Sequence, residues 1–403
     1  MQDKYKINIS KLAVSLIALS LAMSGIVVFN FGINVRMLHL LIPILLALLF
    51  VVKFRWMKGL NLFLFNKTSI LFIIFLLITF YTTLVVSIEK GSDLRLWIAT
   101  LANAFIGVIF YGVLSDQKVN NLFFLRLSYY SIVLVCFVIT VQLVLSALKL
   151  YEPHMYGENG FFLLGRPSAF FGDPGWLAYW LIIFSLFVFE NKRVNNIKTL
   201  DFNRFILVLL AGLLISQSRI SIVFILINFY LLVLHKKTVR RFILLSIIFS
   251  AVITILILIY IGIIEIPENL YYDLVNIEAN PRYYDTITIY NEYINSANIW
   301  FGNGLGSLDR LVEIYPWRNY TNSHNVFFLQ ILNDSGIVGV LIMLIIIIGL
   351  YKKLNTRIAR IMFVEFIILL NFHNIFPYFQ LFWFLLAFIF VLDKKYGKAS
   401  FIA

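Results

Sequence analysis

The stretch YTNSHNVFFLQILNDSGIVGVLIMLIIIIGLY, from Tyr320 to Tyr351, indicates whether this chain folds in water or in a membrane. Its second half is almost entirely apolar, and the whole stretch exceeds the roughly 20 residues that a helix needs to cross a bilayer. A spanning helix does not require the His324-Asn325 pair at its start. We therefore expect His324 either to anchor a membrane helix at the interface or to take part in chemistry beside it.

The composition extends this prediction to the rest of the chain. Of its 403 residues, 61% are hydrophobic and only 13% are charged, and the mean hydropathy is +0.92. These values exclude a soluble domain and predict an all-α integral membrane protein, with residues 1–403 forming a single polytopic membrane domain. Apolar runs between charged or Pro/Gly breaks predict about twelve transmembrane helices. Their spans are 12–34, 37–54, 69–88, 96–114, 122–148, 175–189, 203–217, 220–235, 242–264, 325–351, 358–373 and 378–392.

The distribution of Lys and Arg predicts the orientation, because basic residues are retained on the cytoplasmic side of short loops. With the N-terminus in the cytoplasm, 24 of the 33 basic residues fall on the inner side and 14 of the 20 acidic residues on the outer side. An even number of spans then leaves both termini in the cytoplasm. The net charge of +13 thus reflects membrane topology and does not indicate nucleic-acid binding.

The first apolar run, after Lys11, is too long for a cleaved signal, so we expect an uncleaved first helix. The single cysteine, Cys136, lies in an apolar segment and is expected to be a packing residue. Two connections are long, at 149–175 and 265–324, and both are predicted to lie on the outer side. Long loops in an otherwise tight scaffold are the default place for function. Paired broken helices, which would indicate an inverted-repeat transporter, are not apparent in the sequence.

Two arginines lie where a charge is costly or constrained. Arg219 stands in LLISQSRISIVFIL, where a guanidinium either faces a wet cavity or snorkels to the headgroups. Arg166 precedes Pro167, which restricts its backbone, and Asp173 is a plausible N-cap for the helix that follows. For both arginines the residues leave a functional and a structural interpretation open.

The second long loop carries Arg282, the Trp317-Arg318 pair and a glycine cluster at 302–306. The cluster lacks the spacing and lysine of a phosphate-binding P-loop, so we interpret it as a turn. No HExxH, DxD or GxSxG motif is present, which leaves a zinc protease, a metal-dependent glycosyltransferase and a serine hydrolase without support. Several arginines with one histidine, His324, suit the binding of a diphosphate and the removal of a proton from a hydroxyl.

Taken in order, four stretches and one arginine resemble the bacterial O-antigen polymerase and O-antigen ligase superfamily. They are RPSAFFGDPGWLAYWL, LLISQSRISIVF, Arg282, IWFGNGLG and SHNVFFLQILNDSGIVGVL, and they cover roughly residues 165–339. The resemblance implies a GT-C-like membrane glycosyltransferase that uses no metal or cofactor and whose site faces the periplasm. Its donor would be a glycan on undecaprenyl diphosphate, with the lipid diphosphate as leaving group.

The resemblance also implies roles for individual residues. Arg219 and Arg282 would hold the diphosphate, His324 would act as base on the acceptor hydroxyl, and Arg166 would help to retain substrate. Asp173, Arg318 and Asn325 are expected to support the site. The favoured activity is polymerisation of repeat units for O-antigen or capsule, with transfer of a finished glycan to lipid A-core as the alternative. A flippase or another transporter is a further alternative, although its charges should be spread through several helices. A chain-length regulator and a flippase of the same pathway are possible partners.

Overall fold

A computed structural model describes residues 9–22, 27–30, 34–36, 67–90, 94–115, 121–150, 169, 174–193, 199–216, 228, 291, 298–305, 307, 327–372 and 380–399. Helices account for most of these ranges. They are α1 (Ile9–Ala22), α2 (Lys67–Lys90), α3 (Leu94–Leu114), α4 (Asn121–Ala147), α5 (Pro174–Arg193), α6 (Thr199–Ser216), α7 (Phe327–Lys353), α8 (Arg357–Phe372) and α9 (Gln380–Ala399). A two-stranded antiparallel sheet joins β1 (Val27–Asn30) to β2 (Asn34–Arg36).

The helices α2 to α9 overlie eight of the twelve predicted spans, and their ends differ from the predicted ends by a few residues. Three described helices are long and apolar enough to cross a membrane: Leu94–Leu114, Leu122–Ala147 and Phe327–Lys353. The protein is therefore a multi-pass membrane protein with a largely helical fold. The predicted spans 37–54, 220–235 and 242–264 lie outside the described residues, apart from Asn228.

The prediction of one continuous first helix over 12–34 was wrong. The helix α1 ends at Ala22, and residues 27–30 and 34–36 pair as the antiparallel strands β1 and β2, in which Val27 pairs with Arg36 and Asn30 with Asn34. Val27, Val28 and Phe29 are β-branched or aromatic residues with a preference for strands, whereas Asn30 and Asn34 favour the ends of a turn. Hydropathy alone does not separate such an apolar strand from an apolar helix.

The chain forms two compact units, residues 1–124 with 285–403 and residues 125–284. In the first unit, aromatic side chains of α9 pack on α3, where Phe384 meets Phe110 edge to face with the ring centroids 5.7 Å apart. Trp383 of α9 lies over Gly107, where a Cβ would approach it to 3.0 Å. Between α2 and α3, the indole Nε1 of Trp97 donates to the carbonyl oxygen of Leu76 at 2.9 Å.

In the second unit, α6 packs closely on α4. Cys136 is buried and reduced, and its Sγ fills the space that a Cβ on Gly212 would need. It is thus a packing residue, as expected. Lys149, two residues after the end of α4, has the left-handed conformation, with a φ of 57°. The amides of Lys149 and Leu150 donate to the carbonyls of Ser146 and Leu145, which forms a Schellman motif at the point where the first long loop begins.

Candidate functional site

The residues to which the sequence assigned chemical roles lie outside the described residues. They are Arg166, Asp173, Arg219, Arg282, Arg318, His324 and Asn325. The structure describes chain close to most of them. Helix α5 begins at Pro174, the residue after Asp173, and α6 ends at Ser216, three residues before Arg219. Helix α7 begins at Phe327, three residues after His324. Between their ends, the two long loops are described at Ala169, at Asn291 and over 298–307 except Gly306.

In the first long loop, Ala169 is held by a side chain of α4. The amide of Gln142 donates from Nε2 to the carbonyl oxygen of Ala169 at 2.8 Å, and its Oε1 accepts from the backbone amide of Ala169 at 2.9 Å. Ala169 has a φ of 53°, a left-handed conformation that costs a residue with a Cβ about 1 kcal/mol or more. Both residues are buried. The chain three residues after Arg166 is therefore fixed in a strained conformation by one glutamine.

The second long loop meets a break in α7. Gly336 has a φ of 64° and a ψ of −165°, which removes it from the helix. In a continuous helix the amides of Ile337 and Val338 would donate to the carbonyls of Asn333 and Asp334. Here they donate instead to loop carbonyls, those of Ile299 at 3.2 Å and Trp300 at 3.1 Å.

The two helix carbonyls that the break releases are also satisfied by the loop. The amide of Asn303 donates to the Asn333 carbonyl at 2.7 Å, and the amide of Gly304 donates to the Asp334 carbonyl at 3.1 Å. The loop thus supplies new partners for the two amide donors and the two carbonyl acceptors of the two helical hydrogen bonds that the break removes. Non-helical backbone in a membrane segment needs such replacement, because no water is at hand to satisfy the freed groups. The loop residues 298–305 with Ser307, together with the break at 333–338, are called the clasp below.

Side chains tie the clasp further. Nδ2 of Asn303 donates to Oδ1 of Asn333 at 3.1 Å, and Nδ2 of Asn333 donates to Oγ of Ser307 at 2.8 Å. Helix α2 also takes part, since Oγ1 of Thr83 accepts from the amide of Leu305 at 3.1 Å. Asn303, Asn333 and Ser307 are all buried. The clasp therefore joins three parts of the chain that are far apart in sequence.

A buried carboxylate lies at the centre of the clasp. Asp334 is fully buried, and its Oδ1 accepts from Nδ2 of Asn333 at 3.0 Å. Neither its Oδ2 nor the buried hydroxyl of the next residue, Ser335, has a hydrogen-bond partner among the residues that the structure describes. A carboxylate inside a membrane helix is costly and is a functional-site candidate by default. Sequence reasoning did not single out Asp334, although a carboxylate two residues before a glycine in an apolar run was a signal for it.

The described residues allow two further statements about the site. Over the part of the chain that the structure describes, no three His, Cys, Asp or Glu residues come together as a metal ion would require. Glu365, which the sequence placed within a membrane helix, is buried in α8. The glycine cluster lies in a turn over its described residues 302–305, as expected. No pattern in the sequence indicated that this turn would complete a broken helix.

The chain matches no protein-family model, and no curated protein shows significant similarity to it. The resemblance described above therefore rests on the motif residues themselves.

Proposed function

We propose that the protein polymerises oligosaccharide repeat units carried on undecaprenyl diphosphate, for O-antigen or a capsule-type surface polysaccharide. The reaction is a metal-independent, inverting glycosyl transfer on the periplasmic face of the bacterial inner membrane. Both termini are then cytoplasmic, and the pathway's flippase and chain-length regulator are possible partners. The established part is narrower: this is a multi-pass membrane protein.

The observation that supports this proposal most is the meeting of two motifs. IWFGNGLG and the second half of SHNVFFLQILNDSGIVGVL carry the resemblance in sequence, and they are also the two sides of the clasp. Because the two motifs contact each other in the clasp, there is a physical reason for both to occur in one sequence. It is therefore harder to explain their resemblance to the superfamily as two unrelated matches.

In the proposed reaction, Arg219 and Arg282 neutralise the diphosphate. Guanidinium groups bind phosphate oxygens bidentately and keep their charge, so they stabilise the leaving group as the glycosidic bond breaks. His324 removes the proton from the acceptor hydroxyl, and that oxygen attacks the anomeric carbon from the face opposite the diphosphate. Arg166 and Arg318 retain the substrate, with Asp173 and Asn325 in support. Direct displacement inverts the anomeric configuration.

Two other activities are alternatives. A ligase would pass the finished glycan to lipid A-core and uses the same donor chemistry. The break in α7 is one observation in favour of a transporter or flippase, because broken helices with buried carboxylates occur at ion sites of transporters. However, the chain's own loop fills this break, and its freed backbone groups are taken up by hydrogen bonds. We therefore favour the enzyme.

The test is deletion of the gene in its own host, followed by size separation of the surface glycans and the lipid-linked glycans. We expect single repeat units on their normal acceptor and no ladder, and wild-type protein should restore the ladder. Long chains that accumulate on undecaprenyl diphosphate and are missing from lipid A-core would instead identify a ligase. An unchanged ladder would contradict both activities.

A further inference from the structure

We propose that the turn between α7 and α8 binds the headgroup of an anionic phospholipid, with Arg360 as the residue that receives its phosphate. The site goes beyond the proposed function and does not depend on it. The residues that form it belong to one compact unit, residues 1–124 with 285–403. They combine an arginine held in place, a basic surface around it and an apolar surface beside it.

Arg360 is an exposed residue in the first turn of α8, and its guanidinium is held by two contacts. Its Nε donates to the carbonyl oxygen of Leu354 at 2.8 Å, and its Cζ lies 5.8 Å from the centroid of the Tyr351 ring. Over the described residues, neither Nη of Arg360 has a hydrogen-bond or ion-pair partner. A guanidinium held in this way presents its remaining N–H donors in a fixed plane, and such a fork binds phosphate oxygens bidentately.

The surroundings of Arg360 are strongly basic. Over 351–360 and 393–395, the described chain has six basic residues and one acidic residue, Asp393. That carboxylate is buried, and its Oδ1 accepts from the amides of Asn355 and Thr356, which brings the end of α9 to the turn. Near a membrane surface, each basic residue strengthens the attraction of anionic lipid about fivefold. The basic residues are Lys352, Lys353, Arg357, Arg360, Lys394 and Lys395.

An exposed apolar stripe continues from Arg360 along α8. Val364 and Ile368, one and two turns further on, are 43% and 41% exposed. Ile368 lies about 12 Å from Arg360 along the helix axis. On α7, Ile348 is 52% exposed and lies one turn before Tyr351. A phosphate that carries acyl chains contacts both the basic and the apolar part of this surface, whereas free phosphate contacts only the basic part. The surface therefore fits a phospholipid.

The first experiment compares ligands on the purified full-length protein in a neutral detergent, with bound lipid counted by native mass spectrometry. Phosphatidylglycerol should bind about tenfold more tightly than phosphatidylcholine with the same acyl chains, because only phosphatidylglycerol has a net negative charge. Inorganic phosphate at the same concentration should not displace it. Equal affinity for the two lipids would overturn the proposal. Displacement by inorganic phosphate would overturn the assignment to a lipid, since the acyl chains would then contribute nothing.

The second experiment removes the charge of Arg360. Arg360→Gln should weaken binding of the first phosphatidylglycerol about fivefold, measured on the monodisperse fraction of the protein. Arg204→Gln is the matched control, because it removes the same charge from an exposed arginine near the start of α6. We expect its affinity to change less than twofold. Equal losses in the two variants would show that the lipid responds to overall charge, and a site at Arg360 would be overturned.

A third comparison leaves every charge in place. Tyr351→Phe keeps the ring next to the guanidinium of Arg360 and should bind phosphatidylglycerol as wild type does, whereas Tyr351→Leu loses the ring and should bind it about threefold more weakly. This pair carries the test if Arg360→Gln yields no monodisperse protein. Wild-type affinity in the leucine variant would overturn the geometry proposed for the site. None of these measurements requires glycan synthesis, so their outcome is independent of the proposed function.

Discussion

The Cα of Gly302, in the second long loop, lies against the backbone of Gly336 in α7, and the Cα of Gly336 lies against the backbone of Trp300 and Phe301. A Cβ on Gly302 would lie 2.5 Å from the nitrogen of Gly336, and a Cβ on Gly336 would overlap the carbonyl of Trp300. Both glycines also have a positive φ, of 78° and 64°. Space and backbone conformation thus demand glycine at both positions.

We predict that Gly336→Ala disrupts the clasp, because the new methyl group meets backbone atoms that cannot move aside. The expected loss of stability is about 2 kcal/mol or more, from the strained φ together with the overlap. It should be measured as the fraction of protein that remains monodisperse in detergent after heating. Gly349→Ala, in the regular part of the same helix, is the control and should be neutral or slightly stabilising. Equal behaviour of the two variants would show that the close approach is not needed.

The second prediction concerns Gln142, whose amide holds Ala169. Gln142→Leu keeps the approximate volume but leaves the buried amide and carbonyl of Ala169 without their partners, which costs about 1–3 kcal/mol each. We expect loss of ordering at Ala169 and at least a tenfold drop in polymer yield per folded molecule, since Arg166 is three residues away. Ala169→Gly is the counterpart: it relieves the positive φ, keeps the backbone bonds and should retain activity. A fully active Gln142→Leu variant would contradict a role for this contact.

The third prediction separates structure from chemistry at Asp334. Asp334→Asn replaces the ionisable carboxyl group with a neutral amide and keeps an oxygen that can accept from Nδ2 of Asn333. Because an ionised carboxylate is costly to bury, we expect the variant to be as stable as wild type or more stable, with near-normal polymer yield. The measurements are thermal stability in detergent and the glycan ladder. A stable variant that makes no polymer would assign the carboxylate to the chemical step.

The fourth prediction concerns the turn between α7 and α8, which Asp393 of α9 caps. Oδ1 of Asp393 accepts from the amides of Asn355 and Thr356 at 2.9 and 2.6 Å, and from Oγ1 of Thr356 at 2.8 Å. Asp393→Ala should cost about 1–2 kcal/mol, as loss of a helix cap does. The melting temperature in detergent should fall by several degrees while activity per folded molecule is kept. Asp201→Ala, an exposed acidic residue in the first turn of α6, should show a much smaller fall.

The fifth prediction tests the proposed base. His324→Ala should abolish the polymer ladder, by about a hundredfold or more, while the protein still inserts and accumulates in the membrane. Immunoblotting of membranes and size separation of glycans measure the two quantities. A normal ladder from a variant at wild-type abundance would remove His324 from the reaction.

Much of the fold follows from the sequence alone. Hydropathy predicted the helices α2 to α9 because a membrane requires about 20 apolar residues in a row wherever a helix spans. It failed at Val27–Asn30, where an apolar strand satisfies the same count of hydrophobic residues. The break at Gly336 was equally invisible, because the freed backbone groups are completed by residues some thirty positions earlier in the chain.

The candidate site was predicted less completely. The sequence drew attention to the charged residues, whose cost in a membrane is evident, and to the turn at 302–306. It did not identify Gln142 or Asn333, which are polar residues in apolar helices that bond to distant parts of the chain. Their partners, Ala169 and Ser307, are set by tertiary contacts that no local pattern encodes. The roles of Arg166, Arg219, Arg282, Arg318 and His324 stay predictions.

The clasp also sets an order of assembly. It needs Thr83 of α2, Leu305 and Asn303 of the loop, and carbonyls of α7, which the ribosome makes last. During synthesis the loop must therefore wait until its hydrogen-bonding partners in α7 exist. The membrane helices that enter earlier cannot lock it. Completion of this part of the protein is a late event in biogenesis, and truncation of the chain before α7 would leave the loop's glycine turn without the helix that it completes.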